Sequence, residues 1–110
     1  MVYVFKPREM AGKEETWGTR KDIITGETAP AKRVNMGIAI FNPNSALGDH
    51  WHETEEEILY VARGKGVIVV GGQNVDVEQG TIIYVPPNTK HAVDNTSDEI
   101  LELIYLRSLV

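Results

Sequence analysis

The sequence predicts an all-β domain, and three observations carry that expectation. From Val34 onward the chain breaks into short apolar segments rich in Val, Ile and Tyr, the composition of strands rather than of long helices. Turn-forming residues divide these segments at near-regular intervals, the spacing of a sandwich or small barrel. The length, 110 residues, is enough to bury one core and not two.

Taken in order, the candidate strands are Val34 to Phe41, Gly48 to His52, Glu57 to Arg63, Gly66 to Val70, Val75 to Glu78, Thr81 to Val85, His91 to Asp94 and Glu99 to Arg107. Between them, Asn42-Pro43-Asn44-Ser45, Arg63-Gly64-Lys65-Gly66, Gly71-Gly72-Gln73-Asn74, Gln79-Gly80 and Pro86-Pro87-Asn88 supply the positive-φ and fixed-φ positions that reverse the chain. Residues 1–33 read as an irregular N-terminal arm packing on the barrel, with one helical turn near Arg8 to Glu15, and residues 34–110 as the barrel domain. There is no internal repeat and no low-complexity segment.

Composition narrows the chemistry. With no cysteine, disulfides, thiolate metal sites and thiol nucleophiles are excluded, so any metal must be held by His and carboxylates. Eleven Lys+Arg against 16 Asp+Glu give a net charge of −5, which argues against a nucleic-acid or anionic-membrane partner. The sum is +2 over residues 1–33 and −7 over residues 34–110, so the second part suits a cation. No basic-then-apolar leader opens the chain, and no apolar run approaches the ~20 residues that span a bilayer. A cytoplasmic location is therefore expected.

The three histidines are His50, His52 and His91. On a regular strand His50 and His52 would share a face with Cα atoms roughly 6–7 Å apart, and Trp51 would point the other way. A carboxylate follows in the acidic run Glu53-Thr54-Glu55-Glu56-Glu57. Glu56 keeps the parity of His52 on a regular strand, whereas Glu57 joins the histidines only if a turn or bulge interrupts the run. Glu53 and Glu55 read as a solvated face. His91 stands directly after the Pro86-Pro87-Asn88 turn.

These residues carry a resemblance. Gly48-x-His50-x-His52-x4-Glu57-x6-Gly64 resembles the first motif of the cupin superfamily, and Gly80-x5-Pro86-x-Asn88-x2-His91-x3-Asn95 resembles the second. The six-residue distance to Gly64 selects Glu57 over Glu56. Two departures touch no ligand: Asn44 stands where the first motif usually begins with Gly, and Asn88 where Gly usually follows Pro-x. Asn best tolerates the left-handed conformation after glycine, so the second turn can survive. The resemblance implies a single small jelly-roll barrel, or double-stranded β-helix, of the small bacterial cupin type. It also implies a three-His, one-Glu metal site made of His50, His52, Glu57 and His91, with about two coordination positions left open. Imidazole and carboxylate without thiolate suit one divalent transition ion: Mn, Fe, Ni, Zn or Cu.

A metal-dependent enzyme acting on a small oxygen-rich metabolite is then the leading expectation, as an isomerase, lyase or cyclase, decarboxylase or dioxygenase. The alternative is a non-catalytic module that binds a small ligand or a metal. Tyr105 and Glu56 are the candidate proton-transfer residues. Alternation places Leu101, Leu103 and Tyr105 inside. Met36, Ile38 and Ile40 read as core, and Arg20, Lys21, Lys32 and Arg33 as exposed unless the arm folds across the barrel mouth, where they would clamp an anion. Apolar residues on both faces of Glu57 to Ala62 call for outside cover, and a homodimer is the expected source.

Overall fold

The alternation beginning at Val34 folds, in the computed structural model of residues 1–110, into two antiparallel sheets laid face to face. The strands are β1 (Lys13–Glu15), β2 (Gly18–Ile24), β3 (Val34–Phe41), β4 (Ser45–His50), β5 (Glu55–Arg63), β6 (Lys65–Val70), β7 (Gln73–Glu78), β8 (Ile82–Val85), β9 (His91–Asn95) and β10 (Leu101–Leu109). The larger sheet has the order β1-β2-β3-β10-β5-β8 and the smaller β4-β9-β6-β7. The all-β expectation holds. No helix is long and apolar enough to cross a membrane.

Strand alternation explains which side chains meet between the sheets. Phe41, Leu59, Val61, Val85, Leu101, Leu103 and Tyr105 of the large sheet pack against Ile68, Val77 and Val93 of the small one. Leu101, Leu103 and Tyr105 point inward as their alternation against Glu102 requires. In β3 the parity is the reverse of the expected one. Gly37, Ala39 and Phe41 take the inner positions, and Ile38 and Ile40 lie on the outer face of the sheet. The cause is the size of Tyr105, which lies opposite Gly37: a Cβ there would come within 2.1 Å of the tyrosine hydroxyl, so only glycine fits beside it.

The N-terminal region is more regular than its sequence suggests. A 3-10 turn covers Pro7–Glu9 in place of a helical turn reaching Glu15, and residues 13–15 are strand. β2 then pairs along β3, from Gly18 opposite Phe41 to Ile24 opposite Met36. Consecutive charged residues, Arg20, Lys21 and Asp22, hide its alternation, because polar side chains stand on both faces at this end of the sheet. Trp17, just before β2, is buried and stacks on Phe41 with ring centroids 4.4 Å apart.

Asn95 closes the opposite end. It is fully buried, and its side-chain amide donates to the carbonyls of Phe41, Asn42 and Glu99 while its Oδ1 accepts from Ser97. One side chain thus ties the ends of β3, β9 and β10 together. Asn44 and Asn88 both adopt left-handed backbone, with φ of 53° and 58°, so asparagine meets the turn requirement at both positions.

The fully buried Leu101 gives a direct test of this core. Leu101→Ala is expected to lower unfolding free energy by about 2–5 kcal/mol, measured by urea titration. Asn74→Ala, on the exposed face of β7, should change it by no more than about 0.5 kcal/mol.

Candidate metal centre

Two neighbouring strands of the small sheet bring His50 and His91 together. β4 ends at His50, which lies directly opposite His91 at the start of β9. The pairing slips between Leu47 and His50, and this irregularity turns His50 toward the interior. The expected strand through His52 stops two residues short. His52 sits instead in the non-strand link 51–54, and its carbonyl accepts a 2.7 Å bond from the backbone N–H of Asn88. That bond joins the two turns that carry the motif residues. The same link interrupts the acidic run, so β5 starts afresh at Glu55 and places Glu57 inward.

His50, His52, Glu57 and His91 each offer one ligand atom, and these atoms lie within 4.8 Å of one another. Two donors about 2.1 Å from a common ion stand no more than about 4.2 Å apart, so the cluster is near the size a metal requires. Hydrogen bonds fix which atoms face inward. Nδ1 of His50 donates to the carbonyl of Gly48 and Nδ1 of His91 to that of Thr89, each at 3.0 Å, which leaves the two Nε2 atoms free.

Glu57 divides its carboxylate. Oε2 accepts from Nε of Arg107 at 3.2 Å, while Oε1 lies 2.9 Å from His91 Nε2 and 4.0 Å from His52 Nε2. The 2.9 Å contact is close but poorly aimed for a hydrogen bond. Glu57 Oε1, His91 Nε2 and His52 Nε2 are therefore all buried without a hydrogen-bond partner. Each such atom costs about 1–3 kcal/mol if left unmet. Three of them aimed at one point, in an oxygen-and-nitrogen donor set, fit a divalent cation.

Protonation follows the surroundings. Burial pushes the His50 pKa down, and burial followed by the charge of Arg107 lowers that of His52. Burial alone would raise Glu57, but contact with His91 and the charge of Arg107 outweigh it and hold the carboxyl below its ordinary range. For His91, burial is outweighed by the Glu57 carboxylate and the Thr89 carbonyl, and its pKa rises.

The cluster forms one end of a cavity of about 290 Å³ whose walls include Trp17, Phe41, Leu59 and Leu103. Tyr105, Arg107 and Arg20 add polar groups to those walls. Tyr105 donates its hydroxyl proton to Asp22, and the Arg107 guanidinium lies 4.8 Å over its ring. Burial and Asp22 push the Tyr105 pKa far above that of ordinary tyrosine, so it keeps its proton. Glu56 lies apart from the cavity lining and accepts a 2.8 Å bond from exposed Tyr84. A larger groove of about 890 Å³ passes Lys65, Asp76, Glu78 and Asp98 but includes none of the four cluster residues.

Sequence reasoning missed Arg107 and Asp22. The parity that placed Leu101, Leu103 and Tyr105 inside extends to Arg107, so that signal was present. Nothing in the sequence pairs Asp22 with a tyrosine 83 residues away. Among the basic residues of the first 33, Arg20 reaches the cavity, Lys21 donates to the Pro7 carbonyl at 3.0 Å, and Lys32 and Arg33 are exposed.

Fold and site together define a small barrel with a histidine and carboxylate centre at one end of its lumen. The family model described as "Cupin domain" matches residues 37–107, and the chain belongs to that family. It is 34% identical over 62 residues to the oxalate-binding protein of Thermotoga maritima, a match covering 56% of this chain and 51% of that protein. It is 24% identical over 98 residues to the polyketide synthase CurC of Streptomyces cyaneus, covering 89% and 64%. The chain thus spans between half and two thirds of the length of these relatives. Among solved structures, a predicted oxalate decarboxylase from Thermotoga maritima superposes with a TM-score of 0.88 at 23% identity, covering 97% of this chain and 99% of that one.

The protonation pattern has a measurable result. His50 and His52, with lowered pKa values, stay neutral until the pH falls beneath the ordinary 6.5. His91 holds its proton above that value and must release it to ligate. Metal uptake near pH 7 is therefore expected to liberate up to about one proton per ion, read with an indicator dye in weak buffer. Affinity should fall as the pH drops below 6.5.

Proposed function

We propose that this chain is a metal-dependent enzyme acting on a small oxygen-rich metabolite. His50, His52, Glu57 and His91 would hold one divalent transition ion, Mn, Fe, Ni, Zn or Cu. The observation that carries the reading is the convergence of three partnerless buried atoms, on His52, Glu57 and His91, at the end of a largely apolar cavity. A bound ion would act there as a Lewis acid toward a substrate oxygen.

The chain's own residues supply the rest. Glu57, held by Arg107 through one oxygen, keeps the other fixed toward the histidines. The apolar walls limit water around a bound molecule, which strengthens every charge interaction inside. Tyr105 is the proton-transfer group of this reading: its side chain lines the cavity and its hydroxyl, held protonated, is oriented by Asp22. Glu56, bound to Tyr84 away from the cavity, has no place in it. Such a site supports proton transfer, elimination, decarboxylation or attack by oxygen, the branches an isomerase, lyase or cyclase, decarboxylase or dioxygenase would use. A non-catalytic binding module is the second reading, favoured by the relative named an oxalate-binding protein.

A homodimer completes the reading. Ile58, Tyr60, Ile82 and Tyr84 alternate on the outer face of β5 and β8, and all four are exposed, Ile82 at 67%. Such a continuous apolar face suits burial against a second copy. Light scattering is expected to give twice the chain mass for the native protein and the single mass for Ile82→Lys/Tyr84→Lys.

Elemental analysis tests the centre. The purified protein should carry close to one ion per chain, and the His50→Ala/His52→Ala variant should carry almost none; equal contents in both would refute ligation. In a turnover screen of enols, diketones and hydroxy acids, Tyr105→Phe should lower kcat by about 100-fold or more with metal content unchanged. Tight binding without turnover of any compound would favour the module.

A further inference from the structure

Arg20 is the charged group of the cavity that the metal centre does not use. It extends from β2, lies opposite Ala39 of β3, and lines the cavity together with Ala39. Its Nε is buried and has no hydrogen-bond partner. Two carboxylates approach the guanidinium, Asp22 at 3.6 Å from Nε and Glu15 at 3.7 Å from a terminal nitrogen, both beyond hydrogen-bond reach. The Asp22 side chain is half exposed and already accepts from Tyr105. These neighbours stand beside the arginine without meeting its buried N–H. Arg107, by contrast, is taken up by Glu57 and by the ring of Tyr105.

We infer that Arg20 is the specificity residue for a substrate carboxylate, and that the substrate has two heads: a metal-binding hydroxy or oxo acid at one end and a second carboxylate at the other. The inference rests on the metal-centre reading and deepens it. A planar guanidinium with an unmet, buried N–H matches a carboxylate better than any neutral group. The two heads must be separated, because β2 and β5 stand three strand spacings apart, roughly 14 Å along the curved sheet. The cavity volume, about 290 Å³, equals about ten waters at ~30 Å³ each, room for a short dicarboxylate and not for a large one. Arg20 lies outside the matched family region 37–107.

Metal content is measured first on the manganese-loaded protein. If the wild type holds no ion, the metal-centre reading fails and this inference falls with it. With metal bound, calorimetry compares 2-hydroxyglutarate with 2-hydroxypentanoate, which keeps the chelating head and lacks the second carboxylate. The wild type should prefer the former at least about tenfold, the worth of one charge-assisted hydrogen bond. Arg20→Gln should erase that preference while affinity for 2-hydroxypentanoate and metal content stay unchanged, and Arg20→Lys should restore part of it. Glu15→Gln, which removes a competing surface carboxylate, should tighten 2-hydroxyglutarate up to about threefold. Equal affinities in the wild type, a preference that survives Arg20→Gln, or weaker binding in Glu15→Gln would each overturn the assignment.

Discussion

The candidate site depends on how one carboxylate is shared. Glu57 gives one oxygen to Arg107 and turns the other toward three imidazoles, in a position sealed from water. A buried carboxylate normally drifts toward its neutral form. Here Arg107 and His91 hold it ionised, so the cluster keeps the negative charge that three neutral histidines alone would lack as a cation site. Removing Arg107 would therefore weaken the centre without removing any of the four donors.

The scaffold is arranged to bring that sharing about. Glu57 and Arg107 lie directly opposite on β5 and β10 of the large sheet, while His50 and His91 lie opposite on β4 and β9 of the small one. Each pair is fixed by ladder register, and the two sheets hold the pairs against each other. His52 is the exception, placed by a loop whose carbonyl is bonded to the Asn88 turn. Rigid strands thus set three donors and a single backbone bond sets the fourth. Mobility within the cluster should concentrate at His52, whose side chain is 23% exposed against 5% for Glu57 and 2% for His91.

The opposite wall shows a second constraint. Gly37 makes room for Tyr105, Tyr105 donates to Asp22, and Asp22 stands beside Arg20. Burial and hydrogen bonding link the tyrosine proton and the arginine charge through one carboxylate on β2. A change at any of these residues should be felt at the others, as expected for side chains in one polar network.

The amino-acid sequence by itself determined the all-β class and the positions of most turns, and its motif spacing pointed to the four residues that the fold gathers into one cluster. Each of those signals is local: a two-residue alternation, a glycine or asparagine at a reversal, or a motif spacing. It also implied the break before Glu57, because a regular strand could not bring both His52 and Glu57 to one face. Only the tertiary structure decided that residues 13–24 join the large sheet, that β3 turns Ala39 and Phe41 inward in place of Ile38 and Ile40, and that Glu56 faces Tyr84. It alone placed Arg20 and Arg107 in the cavity wall and Asp22 against Tyr105. Charged residues carry no fixed parity, since a buried partner is what makes the inner face tolerable to them, and those partners lie tens of residues away along the chain.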